Sequence, residues 1–182
     1  MNSTSVIADE VHAARHLCET GEWPELLDFA CAWQKNSPED YLAFFYIALA
    51  HSELGQYVQA DTAYRRALAL NDSDPIVWSN HAELLYHNLR QKTEGMSSME
   101  HALKLNPDDK LNWLSLACMV GQLGHHQHAI TFADRALALD SQFVEAYLRK
   151  GAAARALGKN ELLREVCDAL SAIPLEKFRG AR

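Results

Sequence analysis

Two segments of the chain read almost as copies. LGQYVQADTAYRRALALNDSD at 54–74 and LGHHQHAITFADRALALDSQF at 123–143 both begin Leu-Gly, reach an alanine after four intervening residues and carry Ala-Leu-Ala-Leu seven residues beyond it. Their offset of 69 residues is two periods of 34 plus one extra residue. Self-similarity at this period means that one supersecondary unit is used repeatedly, because a short helix pair cannot bury its apolar face without a neighbour. The stretch between the copies carries the same ending in MSSMEHALKLNPDD at 96–109. Upstream, 20–40 fits through Gly21, Leu26, Ala30, Trp33 and Pro38. Downstream, 157–174 fits through Gly158, Leu163, Cys167 and Leu170.

The periodicity predicts one array over 7–177, with tails at 1–6 and 178–182, in five helix-turn-helix units: 7–40, 41–74, 75–109, 110–143 and 144–177. Helix A of the second to fifth units carries an aromatic at one register, Phe44, Trp78, Trp113 and Tyr147. Helix B carries small residues, Ala60 and Ala67, Gly95 and Ala102, Ala129 and Ala136, which let two helices approach closely. Pro38, Pro75 and Pro107 fall at unit junctions, and Asn106, Asp108 and Asp109 can cap the following helix. The third unit holds one residue too many and lacks Leu-Gly, which puts the insertion in the turn at 87–95. In these features the chain resembles the tetratricopeptide repeat family. The resemblance implies an all-α, right-handed superhelical solenoid that works through protein contacts.

Charge narrows the partners. The formal net charge is −7 and the pI about 5.7, so nucleic acid and anionic lipid would be repelled rather than recruited. The longest apolar run, YLAFFYIALA at 41–50, is half of a membrane span, so no membrane insertion is expected. The N-terminus lacks the basic and apolar regions of an export signal, which reads as cytoplasmic. Cys18, Cys31, Cys118 and Cys167 lie far apart with no C-x-x-C pair and read as small buried hydrophobes.

Histidine clusters raise the question of a metal. His125, His126 and His128 fall at an A-to-B turn where the second unit has Gln56, Tyr57 and Gln59, and no further ligand is spaced to complete a zinc site. His12 and His16 share a helix face, but HAARH has Ala13 where a zincin needs its glutamate. Both groups read as solvated. His81 takes a helix-A position usually held by leucine, and is expected to be partly buried, hydrogen-bonded and neutral. With no nucleophile elbow, P-loop or dinucleotide fingerprint, the sequence implies neither catalysis nor a cofactor.

The resemblance also implies where a partner would sit. In the family, inward-facing positions of helix A form a concave groove for an extended or helical peptide. Here they are Leu42, Phe45 and Leu49, then Ile76, Ser79, Glu83 and Tyr86, then Leu111, Leu114 and Cys118, then Leu148 and Arg155. This lining is apolar. The family's carboxylate clamp is not matched: the frame over the second to fourth units keeps only Asn80, and the next frame keeps only Arg149. A scaffold for an apolar or mixed peptide is the expected function. The alternatives are a chaperone for a hydrophobic secretion or assembly substrate, and a self-associating structural subunit. For the last, Leu162, Val166, Ala169 and Ile173 on the final helix are expected to face outward and offer a homodimer contact, unless the tail covers them through Leu175 and Phe178.

Overall fold

The computed structural model describes residues 3–174, in which ten α-helices follow one another without a strand. They are α1 (Ser3–Thr20), α2 (Trp23–Asn36), α3 (Tyr41–Glu53), α4 (Tyr57–Leu70), α5 (Pro75–Glu83), α6 (Lys92–Leu105), α7 (Lys110–Gln122), α8 (His126–Leu139), α9 (Val144–Ala156) and α10 (Asn160–Ala172). A π-helical turn, Leu84–Asn88, directly extends α5. The architecture is an all-α helical repeat in which odd-numbered helices are the A helices and even-numbered ones the B helices. The chain divides within α6 into two compact units, up to Ser98 and from Met99 onward.

Local chemistry fixes where α3, α5 and α7 begin. Asp40 accepts a hydrogen bond from the Leu42 amide, Asp74 from the Ile76 amide, and Asp109 from the Leu111 and Asn112 amides. Each carboxylate satisfies an amide that the first helical turn leaves without a partner. One turn further on, the indole of Trp78 donates to the Asp72 carbonyl at 2.7 Å and that of Trp113 to the Pro107 carbonyl at 2.8 Å. The Tyr147 hydroxyl reaches the Ser141 carbonyl at 3.3 Å. Trp78, Trp113 and Tyr147 thus each pin the inter-repeat turn six residues behind them.

The extra residue of the third unit lies in helix A rather than in the turn after it. Nine α-helical residues and five in the π turn make fourteen, against thirteen in α3, α7 and α9. The chain then closes as its neighbours do, but one residue late: Gln91 N–H reaches the carbonyl of Leu85, six residues back, where Gln56 and His125 reach five back to His51 and Val120. Two residues before each B helix stands one with positive φ, Gly55 at 74° and Gly124 at 83°; here it is Arg90 at 59°. A side chain in that conformation costs about 1–2 kcal/mol, partly offset by the smaller backbone entropy lost relative to glycine. Arg90→Gly is therefore expected to raise stability by about 0.5–1 kcal/mol, read as a higher denaturant midpoint. An unchanged or lowered midpoint would mean that the arginine side chain holds the turn by contacts of its own.

In the first unit the core is aromatic. Trp33 on α2 lies 5.9 Å from Tyr46 on α3, Phe45 lies 5.3 Å from Tyr46 and 6.3 Å from Tyr64 on α4, and Tyr64 lies 5.6 Å from the His81 ring on α5. Helix α3 is apolar nearly all round and buries six residues, which is what a helix with neighbours on several sides requires. At the small positions of the B helices, Ala60, Ala67, Ala102, Ala129 and Ala136 are at most 2% exposed. In the second unit, Phe143 and Ala146 pack with Ala136, flanked by Trp113 and Leu114, and Trp113 stacks on Phe132 at 5.8 Å.

Candidate partner-binding face

The aspartate caps set the register of the face. Each holds an apolar residue in the first turn of its A helix, at the same place in the repeat: Leu42 half-buried, Ile76 58% exposed and Leu111 60% exposed. One turn on, Ser79 and Leu114 are half-buried and Leu148 is 54% exposed. Leu49, Glu83 and Cys118 are half-buried and Arg155 is exposed.

Two expected lining residues lie in the core instead. Phe45, 8% exposed, is clamped between Tyr46 and Tyr64, and Tyr86 is 2% exposed. The π turn explains Tyr86: one added residue rotates every later position of the helix by about 100°. Tyr86 therefore takes the inward place that Val120 and Ala154 hold in the next repeats, four residues before the positive-φ position. The outward strip expected on α10 is also corrected. Val166 is 2% and Ile173 8% exposed, while Leu162 and Ala169 are half-buried. A helix with one apolar stripe turns it toward its neighbour, and Gly151 on α9 makes the room: a Cβ there would stand 3.2 Å from the Val166 side chain. Leu175 and Phe178 lie outside the described residues. Among the cysteines, Cys18, Cys31 and Cys118 are half-buried and Cys167 is exposed, against the expectation that all four are buried.

Two hollows open on the A helices. In the first unit, one of about 340 Å³ lies between α3 and α5 with its π turn, walled by Leu49, Tyr64 and Leu84 and edged by Ser52, Glu53, Tyr57, Asn80, Glu83 and Asn88. Sequence reasoning singled out Leu49 and Glu83 there but missed Asn88, because it puts the insertion in the turn. The spacing from Trp78 to Pro107, one residue longer than that from Trp113 to Ser141, reveals the added residue but not the element that takes it up. In the second unit, one of about 220 Å³ lies between α7 and α9, floored by Ala117, Gly121, Ala129 and Ala153, with Cys118, Gln122, His126 and Arg149 at its sides.

His81, 2% exposed, stands behind Tyr64 and the first hollow. Its Nε2 lies 2.7 Å from the Asp61 carboxylate. A carboxylate only accepts, so Nε2 carries the proton and Nδ1 is a bare acceptor, shielded from solvent and without a partner. Burial pushes the imidazole below its ordinary value against the opposing pull of Asp61. Burial works to raise the Asp61 carboxyl, but hydrogen bonds from His81 and Arg65 outweigh it and hold that carboxyl below its ordinary value. Because folded His81 titrates below its unfolded value of about 6.5, the unfolded chain takes up this proton first as the pH falls. The stability it contributes is complete above about pH 6.5 and is lost as the pH drops through the folded value. Between about pH 7.5 and 5.5 the melting midpoint is expected to fall in the wild type and to fall less in His81→Gln. Equal falls in the two proteins would contradict the neutral buried histidine.

No group of three or more His, Cys, Asp or Glu with metal-binding geometry occurs among the described residues. His125 occupies the N-cap position of α8 without a side-chain cap hydrogen bond, and its ring lies 6.2 Å from that of His128. Burial, reinforced by Glu19 and Glu53, pushes the Cys18 thiol up and away from the nucleophilic thiolate. Among the described residues no helix is long and apolar enough to cross a membrane.

Helix pairs repeated in register, with alanines at the crossings and a left-handed residue closing each A-to-B turn, define a helical-repeat protein. Residues 43–74 and 77–109 match the tetratricopeptide repeat family, so that stretch of the chain carries tetratricopeptide repeats. It is 22% identical to protein FlbA of Caulobacter vibrioides over 96% of its own length, and spans 36% of that relative. Its fold is similar to that of MamA from Desulfovibrio magneticus RS-1, with a TM-score of 0.77 at 15% identity over 99% of this chain and 98% of that one. It is also similar to YrrB, a tetratricopeptide protein with an unusual peptide-binding site, with a TM-score of 0.73 at 16% identity over 88% of this chain and 82% of the other.

Proposed function

We propose that this protein is a non-catalytic interaction scaffold whose A helices hold a segment of a partner protein. The observation that carries the reading is the recurrence of a large, solvent-exposed apolar side chain at one register: Ile76 at 58% and Leu111 at 60% exposure, each placed by an aspartate cap. Full burial of such a side chain is worth about 1.5–3 kcal/mol, so covering these two and Leu148 gives a partner a substantial part of its affinity. Further along the same A helices open hollows large enough for a side chain, which add specificity to an otherwise greasy contact. The unusual peptide-binding site of YrrB supports the reading by analogy.

Selection of a displayed peptide library on the wild type is expected to enrich sequences with recurrent apolar anchors. The same selection on Ile76→Asp/Leu111→Asp, a protein expected to melt as the wild type does because both side chains are exposed, should lose that enrichment. Enrichment of the same sequences on both proteins would put the binding surface elsewhere.

A further inference from the structure

The hollow in the first unit differs from the apolar lining around it. We propose that it receives a basic side chain, an arginine or lysine of the partner segment, with an apolar partner residue two or three positions away lying on Ile76. The inference rests on the scaffold reading above and adds the chemistry of the ligand.

The polar edge of the hollow is built to accept hydrogen bonds. Glu53 from the end of α3 and Glu83 from the end of α5 bring two carboxylates to one space, and its lining contains no lysine or arginine. Asn80 spends its Nδ2 on the Ile76 carbonyl at 2.8 Å, which leaves its side-chain oxygen as the free end. A guanidinium offers five donors and no acceptor, and an ammonium three, so either complements this edge where a carboxylate would meet two like charges. Leu49, Tyr64 and Leu84 provide the apolar wall along which the methylene stem of such a side chain lies.

Cations elsewhere in this unit do not neutralise the site. Arg65, on α4, is held by Asp61 at 3.0 Å and by Glu94 at 2.7 Å, away from the hollow. Among the described residues only the His87 ring, with Nε2 3.1 Å from Glu83, touches one of the two carboxylates, and Glu53 stands clear of it. The spacing follows from α5: Ile76 and Asn80 are one turn apart and Glu83 one more, about 6–10 Å along the axis, which an extended peptide covers in two or three residues. This polarity is opposite to that of the carboxylate clamp, of which the frame over the second to fourth repeats keeps only Asn80.

The test uses the full chain and two blocked tripeptides, acetyl-Leu-Ala-Arg-amide and acetyl-Leu-Ala-Glu-amide, monitored by NMR at the side-chain amides of Asn80 and Asn88. The arginine peptide is expected to shift both amides saturably and the glutamate peptide to leave them in place. Glu53→Gln/Glu83→Gln, an isosteric change at one exposed and one half-buried carboxylate, is expected to keep the wild-type melting midpoint and to bind the arginine peptide about tenfold more weakly or worse. Equal response to the two peptides, or an undiminished response in the double variant, would overturn the basic specificity. Shifts confined to the first turns of α3 and α5, with Asn80 and Asn88 unmoved, would overturn the hollow as the site while leaving the scaffold reading standing. Silence at every residue with both peptides would overturn the inference, and the library selection would then decide the scaffold reading on its own.

Discussion

Phe45→Ser is expected to lower the unfolding free energy by about 3–5 kcal/mol, measured by chemical denaturation. The ring is 8% exposed, edge-on to Tyr46 at 5.3 Å and tilted against Tyr64 at 6.3 Å. It therefore joins α3 to α4 in the middle of the aromatic core. Removal forfeits the transfer free energy of a phenyl group and both ring contacts, and leaves a hydroxyl facing a cavity too apolar to hydrate it. The family register assigns this position to the binding groove, where the same substitution would cost binding and spare the fold. A cost below about 1 kcal/mol would restore that assignment.

Gly95→Ala is the second large effect, and its sign separates packing from propensity. In an exposed helix the change would stabilise by about 1 kcal/mol. Here a Cβ on Gly95 would stand 2.9 Å from the Ala82 carbonyl oxygen, 2.9 Å from the Tyr86 nitrogen and 2.9 Å from the Tyr86 Cβ. Two of these are backbone atoms of the preceding A helix and its π turn, which cannot swing aside as a long side chain can. Overpacking of this kind costs about 1–3 kcal/mol or more, and a net loss of about 2 kcal/mol is expected after the propensity gain. A stabilised variant would show that α6 and the π turn separate easily, and that the glycine is not the reason they approach.

These two positions mark the limits of what the sequence disclosed. Leu-Gly, the recurrent aromatic and the spaced alanines set the repeat, because each answers a local demand: a left-handed closing residue, a ring pinned to a carbonyl six residues back, a close helix crossing. The helix-pair architecture followed from them. What one register could not disclose is how each position is spent. Helix α3 is apolar on more than one face, so periodicity alone does not separate Phe45, which is buried, from Leu42 and Leu49, which are half-buried. The insertion in the third unit was countable, but whether a helix absorbs it as a π turn or a loop takes it up depends on Gly95, which lies outside the turn. On α10, an i, i+4, i+7 stripe is the same whether it faces solvent or α9, and Gly151 decides the matter from another helix. Val166→Glu is for that reason a core substitution and cannot report on self-association.

The most direct measurement is photocrosslinking in cells of the source organism, from a benzophenone amino acid placed singly at residues 76 and 111 on the A helices or at residues 69 and 138 on exposed positions of the B helices. The scaffold account predicts adducts of one heavier mass from 76 and 111, lost when the same partner segment is supplied as competitor, and none from 69 or 138. Adducts from 69 and 138 alone would place the partner on the opposite side of the helix pairs and contradict the account.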